Sequence, residues 1–240
     1  MRIIVLVKSP HAAPQRDETL PSLSPGDRAA LATALQLRDE SDQAIAVTAG
    51  PEADDQALRL ALRAGANHAV RVIDPTVRGV DQRTLGTVLA GGLRLVGFDL
   101  ILAGQSSADW ASGGAGPAVA HMLRLPHVTG VVQITRTGVD QELHVRHQRE
   151  RMSIELLVQP PAVLMMTRGP FLELPAAESD SGTPAESSSE TPIELLSLSE
   201  MTLPFRRPLV AQHQLRPLTR STARMLDGID GLVDLLQRWR

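Results

Sequence analysis

The residues best placed for chemistry lie in one segment, Leu100-Ile101-Leu102-Ala103-Gly104-Gln105-Ser106-Ser107-Ala108-Asp109-Trp110-Ala111-Ser112-Gly113-Gly114-Ala115-Gly116-Pro117. An apolar run enters it, small residues fill it, and Gly116-Pro117 marks a helix start, where the N–H that proline lacks would have no partner anyway. Open backbone N–H groups at a helix start attract anions, and glycine lets a phosphate approach the main chain. A phosphate site over Gly113, Gly114, Ala115 and Gly116 is one reading. The other is that these glycines serve a tight turn and close packing. Spacing alone leaves both open. Neither G-x-x-x-x-G-K-[ST] nor a G-x-G-x-x-G after the first strand occurs in the chain.

Other chemistries are weaker. Gly104-Gln105-Ser106-Ser107-Ala108 falls one residue short of a G-x-S-x-G nucleophile elbow, and a glycine-rich loop follows where the elbow needs a helix. His144 and His147 are three apart in an expected strand, so they point to opposite faces and cannot easily share a metal. The seven histidines read as exposed or hydrogen-bonded side chains, and Arg146, Arg149 and Arg151 as a solvated rim with Glu150. The chain has no cysteine, which excludes disulfides, thiolate nucleophiles, iron–sulfur clusters and thiolate-held zinc.

The elements that must position this loop alternate between strand and helix. Ile3–Val7 is a β-branched run suited to a strand buried on both faces. A Pro- and Ser-rich loop ends at Ser24-Pro25-Gly26-Asp27, and Asp27 is taken as the N-cap of a helix running to Arg38. Ala44–Thr48 is a second strand. A helix starts at Asp54 or Asp55 and stops at Gly65. His68–Ile73, Leu85–Val96 and Leu100–Ala103 are the next strand, helix and strand. This predicts an α/β fold, an open and mostly parallel twisted sheet with flanking helices. After Pro126, Val128–Thr135, Glu142–Arg146, Ile154–Val158 and Ala162–Met166 read as added strands, mixed or antiparallel.

The 240 residues carry a formal net charge of −3 and 42% hydrophobic residues, enough for a core without a metal or disulfide. Two Trp, three Phe and no Tyr leave nothing for a single-stranded nucleic-acid platform, so no nucleic acid is expected. Lys8 is the one lysine. The opening apolar run is too short for a signal peptide or a membrane span, and a bacterial cytoplasmic protein without membrane insertion is expected. Between Gly169 and Phe205 stand seven acidic residues and no Lys or Arg. The three regions expected are thus an α/β nucleotide-binding-like domain over 1–170, an acidic Ser/Pro-rich flexible loop over 171–191, and a short strand with a C-terminal arm over 192–240. The arm's Met225, Leu226, Ile229, Leu232, Val233, Leu236 and Trp239 form one apolar stripe at helical spacing.

Several ordered motifs resemble the beta subunit of electron-transfer flavoprotein. They are Ile3-Ile4-Val5-Leu6-Val7-Lys8, Ser24-Pro25-Gly26-Asp27 (the family favours Asn-Pro-x-Asp), Ala49-Gly50-Pro51, Ala64-Gly65-Ala66-Asn67-His68-Ala69-Val70, Asp99-Leu100-Ile101-Leu102-Ala103-Gly104, Leu125-Pro126, Pro161-Ala162-Val163-Leu164 and Pro192-Ile193-Glu194. The resemblance implies no enzyme but an electron carrier that pairs, as a heterodimer, with an alpha subunit. That alpha subunit's FAD takes electrons from a dehydrogenase donor and passes them on. It also implies a structural AMP in this chain, replaced by a second FAD in a bifurcating subgroup. The candidate cofactor-binding residues are then Leu6, Val7, Lys8, Ala49, Gly104, Asp109, Ser112, Gly113, Gly114, Ala115 and Gly116. The phosphate would lie against Gly113–Gly116 and the adenine near Leu6, Val7 and Ala49.

Three departures from the family pattern stand out. Its loop reads roughly Asp-x-Asp-x-x-Gln-x-Gly; Asp109 and Gly116 are kept, but Ala111 replaces the second acid and Gly114 the Gln. Ser24 replaces the usual Asn. The Lys-rich docking loop for dehydrogenases is replaced by the acidic stretch. The competing reading is a free-standing adenine-nucleotide-binding α/β protein of the stress-protein or ligase kind.

Overall fold

A computed structural model describes residues 1–8, 23–74, 77, 81–106, 113–149, 152–167 and 191–198. Asp109, Ser112, almost all of the acidic stretch and the arm beyond residue 198 lie outside the described residues. The elements are β1 (Arg2–Leu6), α1 (Pro25–Leu37), β2 (Gln43–Ala49), a short 3-10 turn (Glu52–Asp54), α2 (Asp55–Arg63), β3 (His68–Ile73), α3 (Gln82–Val96), β4 (Leu100–Gly104), α4 (Ala115–Leu123), β5 (His127–Arg136), β6 (Leu143–Arg149), β7 (Met152–Val158), β8 (Ala162–Met166) and β9 (Glu194–Ser197). They build one nine-stranded sheet in the order β7-β6-β5-β8-β4-β1-β2-β3-β9.

The continuous apolar run of β1 is explained by where its side chains go. Ile3, Val5 and Val7 enter one core with α1 and α2, whereas Ile4 and Leu6 enter a second core with α3 and α4. A strand covered on both faces has no solvent side, so it shows no alternation in sequence. On the second face α3 and α4 approach closely: a Cβ on Gly86 would stand 2.5 Å from that of Ala118.

Helix α1 begins three residues earlier than expected. Ser24, not Asp27, is the N-cap: its backbone is extended and its hydroxyl accepts the Asp27 N–H at 3.0 Å. Ser-Pro-Gly-Asp is therefore a capping box, with proline at the first helical position and Asp27 at the third returning a bond to the Ser24 backbone. The Asp27 carboxyl also accepts backbone N–H groups of Lys8 and Gly104, just after β1 and at the end of β4. Gly26 and Gly104 make this possible, since a Cβ on Gly26 would lie 2.9 Å from Gly104 Cα.

The added strands divide between two orientations. β6 and β7 are antiparallel, but β8 pairs in parallel with both β4 and β5, and β9 in parallel with β3. The cause is a break in β5 at Gly130, which has φ +68° at a register shift between Val128 and Val131. Beyond it the hairpin turns over α1, putting Val131, Ile134, Leu143 and Val145 in the α1 core. Arg136 donates to the Leu37 carbonyl at 2.8 Å and pairs with Asp39 at 3.1 Å and with Asp42. The last turn of α1 has no basic residue of its own, so Arg136 supplies the cation that a helix C-terminus favours. β7 consequently ends at the amino edge of the sheet, from which β8 starts as another parallel strand. Among the described residues no helix is long and apolar enough to cross a membrane.

Burial lifts the Asp27 carboxyl to about 7, against the pull of its hydrogen bonds with Ser24, Lys8 and Gly104. The folded protein therefore holds this proton over a range where the unfolded chain, at 3.8, has released it. Stability linked to Asp27 is full below about pH 4, falls as pH rises toward 7, and is level above that. Asp27→Asn keeps an acceptor and cannot ionise, so the variant should lack this slope. Urea unfolding at pH 5 and pH 8 should show the wild type losing about 1–4 kcal/mol more than the Asp27→Asn variant does; equal slopes would refute the assignment.

Candidate functional site

Parallel strands deliver their carboxyl ends to one edge, and that edge is where an open α/β sheet binds ligands. β1, β2 and β4 end there at Leu6, Ala49 and Gly104, with Leu6 opposite Val47 on one side and Ala103 on the other. Leu6 and Val7 are buried, while Lys8, Ala49 and Gly104 are half-exposed. The Val7 N–H continues the ladder to the Val47 carbonyl at 3.0 Å. Leu6 and Val7 thus line the edge chiefly as floor, since their side chains are committed to opposite cores.

The loop after β4 returns to this edge through Gln105. Its N–H donates to the Met166 carbonyl at 2.9 Å, and its Oε1 accepts the Gly130 N–H at 2.6 Å. Gly113 has φ +59°, and a Cβ there would lie 2.7 Å from the Gln105 carbonyl oxygen. Gly114 is the N-cap of α4, with no side-chain bond to the helix start. Ala115 and Gly116 follow in the first turn, where N–H groups have no intrahelical partner, and Pro117 has none to satisfy. Gly113, Gly114 and Ala115 are half-exposed and Gly116 is buried.

The glycines also have packing duties. The Gln82 amide of α3 occupies the space of a Gly114 side chain, and a Cβ on Gly116 would come within 2.5 Å of the Met165 sulfur. Packing thus accounts for Gly114 and Gly116. Backbone geometry accounts for Gly113. What remains is a small-residue start to α4 without a side-chain cap, beside the ends of three strands. Asp109 and Ser112 fall outside the described residues.

Three residues important to this edge were not foreseen in their roles. Asp27 is a tie between strand ends, and its Ser-x-x-Asp spacing was the available signal. Gln105 and Gln82 sit against the loop through contacts distant in sequence, which no local pattern announces. The histidines of the hairpin do separate: His144 pairs with Glu155 at 2.8 Å, while the His147 ring meets the Thr129 carbonyl. No group of three or more His, Cys, Asp or Glu suited to a metal occurs among the described residues.

Comparison with known proteins assigns a family. The family model described as "Electron transfer flavoprotein domain" matches residues 16–197. The electron transfer flavoprotein subunit beta of Methylophilus methylotrophus is 29% identical over 219 residues, 85% of this chain and 81% of that protein. Subunit CarD of the caffeyl-CoA reductase–Etf complex of Acetobacterium woodii is 31% identical over 179 residues, 68% of this chain and 67% of its own. The Bacillus subtilis subunit beta is 34% identical over 122 residues, about half of each chain (50% and 48%). With the matched region taking in the capping box, the ends of β2 and β4 and the loop into α4, the chain belongs to the electron-transfer flavoprotein family, in its beta-subunit branch.

Proposed function

We propose that this electron-transfer subunit pairs with a FAD-carrying alpha subunit and holds one AMP at the carboxyl ends of β1, β2 and β4. FAD supplies the redox chemistry from the partner's side; this chain supplies no catalytic residue and works as a scaffold in the cytoplasm. The observation that carries the reading is the uncapped start of α4 beside the strand ends, within a region that matches the family over residues 16–197. Ala115 and Gly116 would give backbone N–H groups to the phosphate, and Leu6, Val7 and Ala49 would floor the adenine. The free-standing nucleotide-binding alternative has no comparable support.

AMP is favoured over a second FAD because the loop has lost side-chain partners at Ala111 and Gly114. A lost hydrogen bond to a charged group costs about 1.5–3 kcal/mol, roughly a tenfold to hundredfold in affinity. Backbone donors survive such changes, and a small ligand depends on them most. The C-terminal stripe Met225–Trp239 is the proposed anchor to the alpha subunit, read as a helix in a groove. The donor is not an acyl-CoA dehydrogenase in this reading, since the acidic stretch cannot present a basic docking loop.

Three measurements check this. The denatured, purified heterodimer should release one FAD and one AMP by mass spectrometry; two FAD would overturn the AMP assignment, and failure of any FAD-bearing chain to bind this one would overturn the subunit reading. Gly113→Val forces a side chain at φ +59° against the Gln105 carbonyl, so it should lower AMP retention at least tenfold while FAD stays. Deleting residues 221–240 should weaken the heterodimer by at least tenfold and leave the melting point of the isolated chain within about 4 °C, a shift of ~1 kcal/mol or less; unfolding of the lone chain would make the arm part of its own core.

A further inference from the structure

At the other end of α4, away from the nucleotide loop, a cavity of about 520 Å3 is lined by Ala120, His121, Met122, Arg124, Leu125 and His127. Three of the six linings carry a guanidinium or an imidazole and none is acidic, in a chain whose formal net charge is −3. A helix C-terminus ordinarily repels anions through its unbonded carbonyls. Here those carbonyls are engaged. Ala120 accepts the Leu125 N–H at 2.9 Å, His121 accepts the Arg124 N–H at 3.2 Å, and Met122 accepts from the Arg94 guanidinium at 2.7 Å. Arg94 thereby places a cation against the negative end of α4.

Arg124 itself is in an unfavourable conformation. It caps α4 with φ +58° and ψ +43°, the left-handed position at which helices prefer glycine. An arginine kept there costs stability that glycine would recover, and residues held against local preference concentrate at ligand sites.

We propose that this cavity binds a phosphate-bearing anion, held by the Arg124 guanidinium with His121 and His127. A guanidinium offers paired donors that match phosphate oxygens, and each imidazole can add a ring N–H donor. Ala120, buried, and Met122 and Leu125, half-buried, line the cavity beside these three exposed side chains. The site is separate from the Gly113–Gly116 loop and does not rest on the AMP reading.

The test uses the full chain with inorganic phosphate as probe, titrated at constant ionic strength and followed by the histidine ring resonances. Those of His121 and His127 should move together and saturate with one Kd, while His68 and His144 stay still. Arg124→Gly should weaken that Kd at least tenfold and leave the phosphate-free melting point equal or higher, because glycine suits the left-handed cap. Arg124→Lys, which keeps the charge and loses the fork, should fall between. Equal movement of all histidines, or an unchanged Kd in the glycine variant, would overturn the proposal; so would phosphate binding abolished by Gly113→Val and untouched by Arg124→Gly.

Discussion

The arrangement turns on one buried carboxyl. Asp27 sits in the first turn of α1 and takes hydrogen bonds from Ser24, from Lys8 after β1 and from Gly104 at the end of β4. Those backbone N–H groups leave their strands just where a parallel ladder ends, so without Asp27 they would be buried donors with no partner. The same contact seats α1 against β4, through Gly26 and Gly104, and brings the loop after β4 back toward β5 and β8. Burial of the carboxyl is costly enough to move its ionisation to about 7, so the tie holds two strand ends at the expense of stability near neutral pH.

From that tie the site follows by geometry. β4 delivers Gly104 and Gln105, Gln105 bonds Gly130 and closely meets Gly113, and α4 then starts without a side-chain cap near the strand edge. Glycine at 114 and 116 is demanded by α3 and β8, through Gln82 and Met165, whatever the loop binds. Close packing against Gln82 and Met165 therefore requires small residues at both positions. The hairpin of β6 and β7 is secured separately, by apolar contact with α1 and by Arg136 at the α1 C-terminus.

The α4 helix links two regions of different character. Its first turn, from Ala115 to Ala118, carries no polar side chain. Its last turn presents Arg124, His121 and His127 beside Ala120, Met122 and Leu125. Nine residues of helix span about 13 Å, so the two ends are too far apart for one small phosphate.

Much of the fold was legible because it rests on local rules. The β-branched run of β1, the stop at Gly65 and the bounds of β3 and β8 follow from hydrophobic pattern and chain punctuation. The loop from Gly104 to Gly116 was visible as a candidate because small residues after a buried strand have few other uses. The cap of α1 was misplaced onto Asp27 because Asp is itself a good cap residue, and only the bonds to Lys8 and Gly104 show it serving at the third helical position. The parallel placing of β8 and β9 was hidden, since strand direction depends on the turn at Gly130 and on which edge is free. Sequence alone determined the elements, the family and the loop, since each depends on neighbours along the chain. Tertiary structure alone decided what Asp27, Gln82, Gln105 and Arg124 do, because their partners are brought near by the sheet and not by the order of residues.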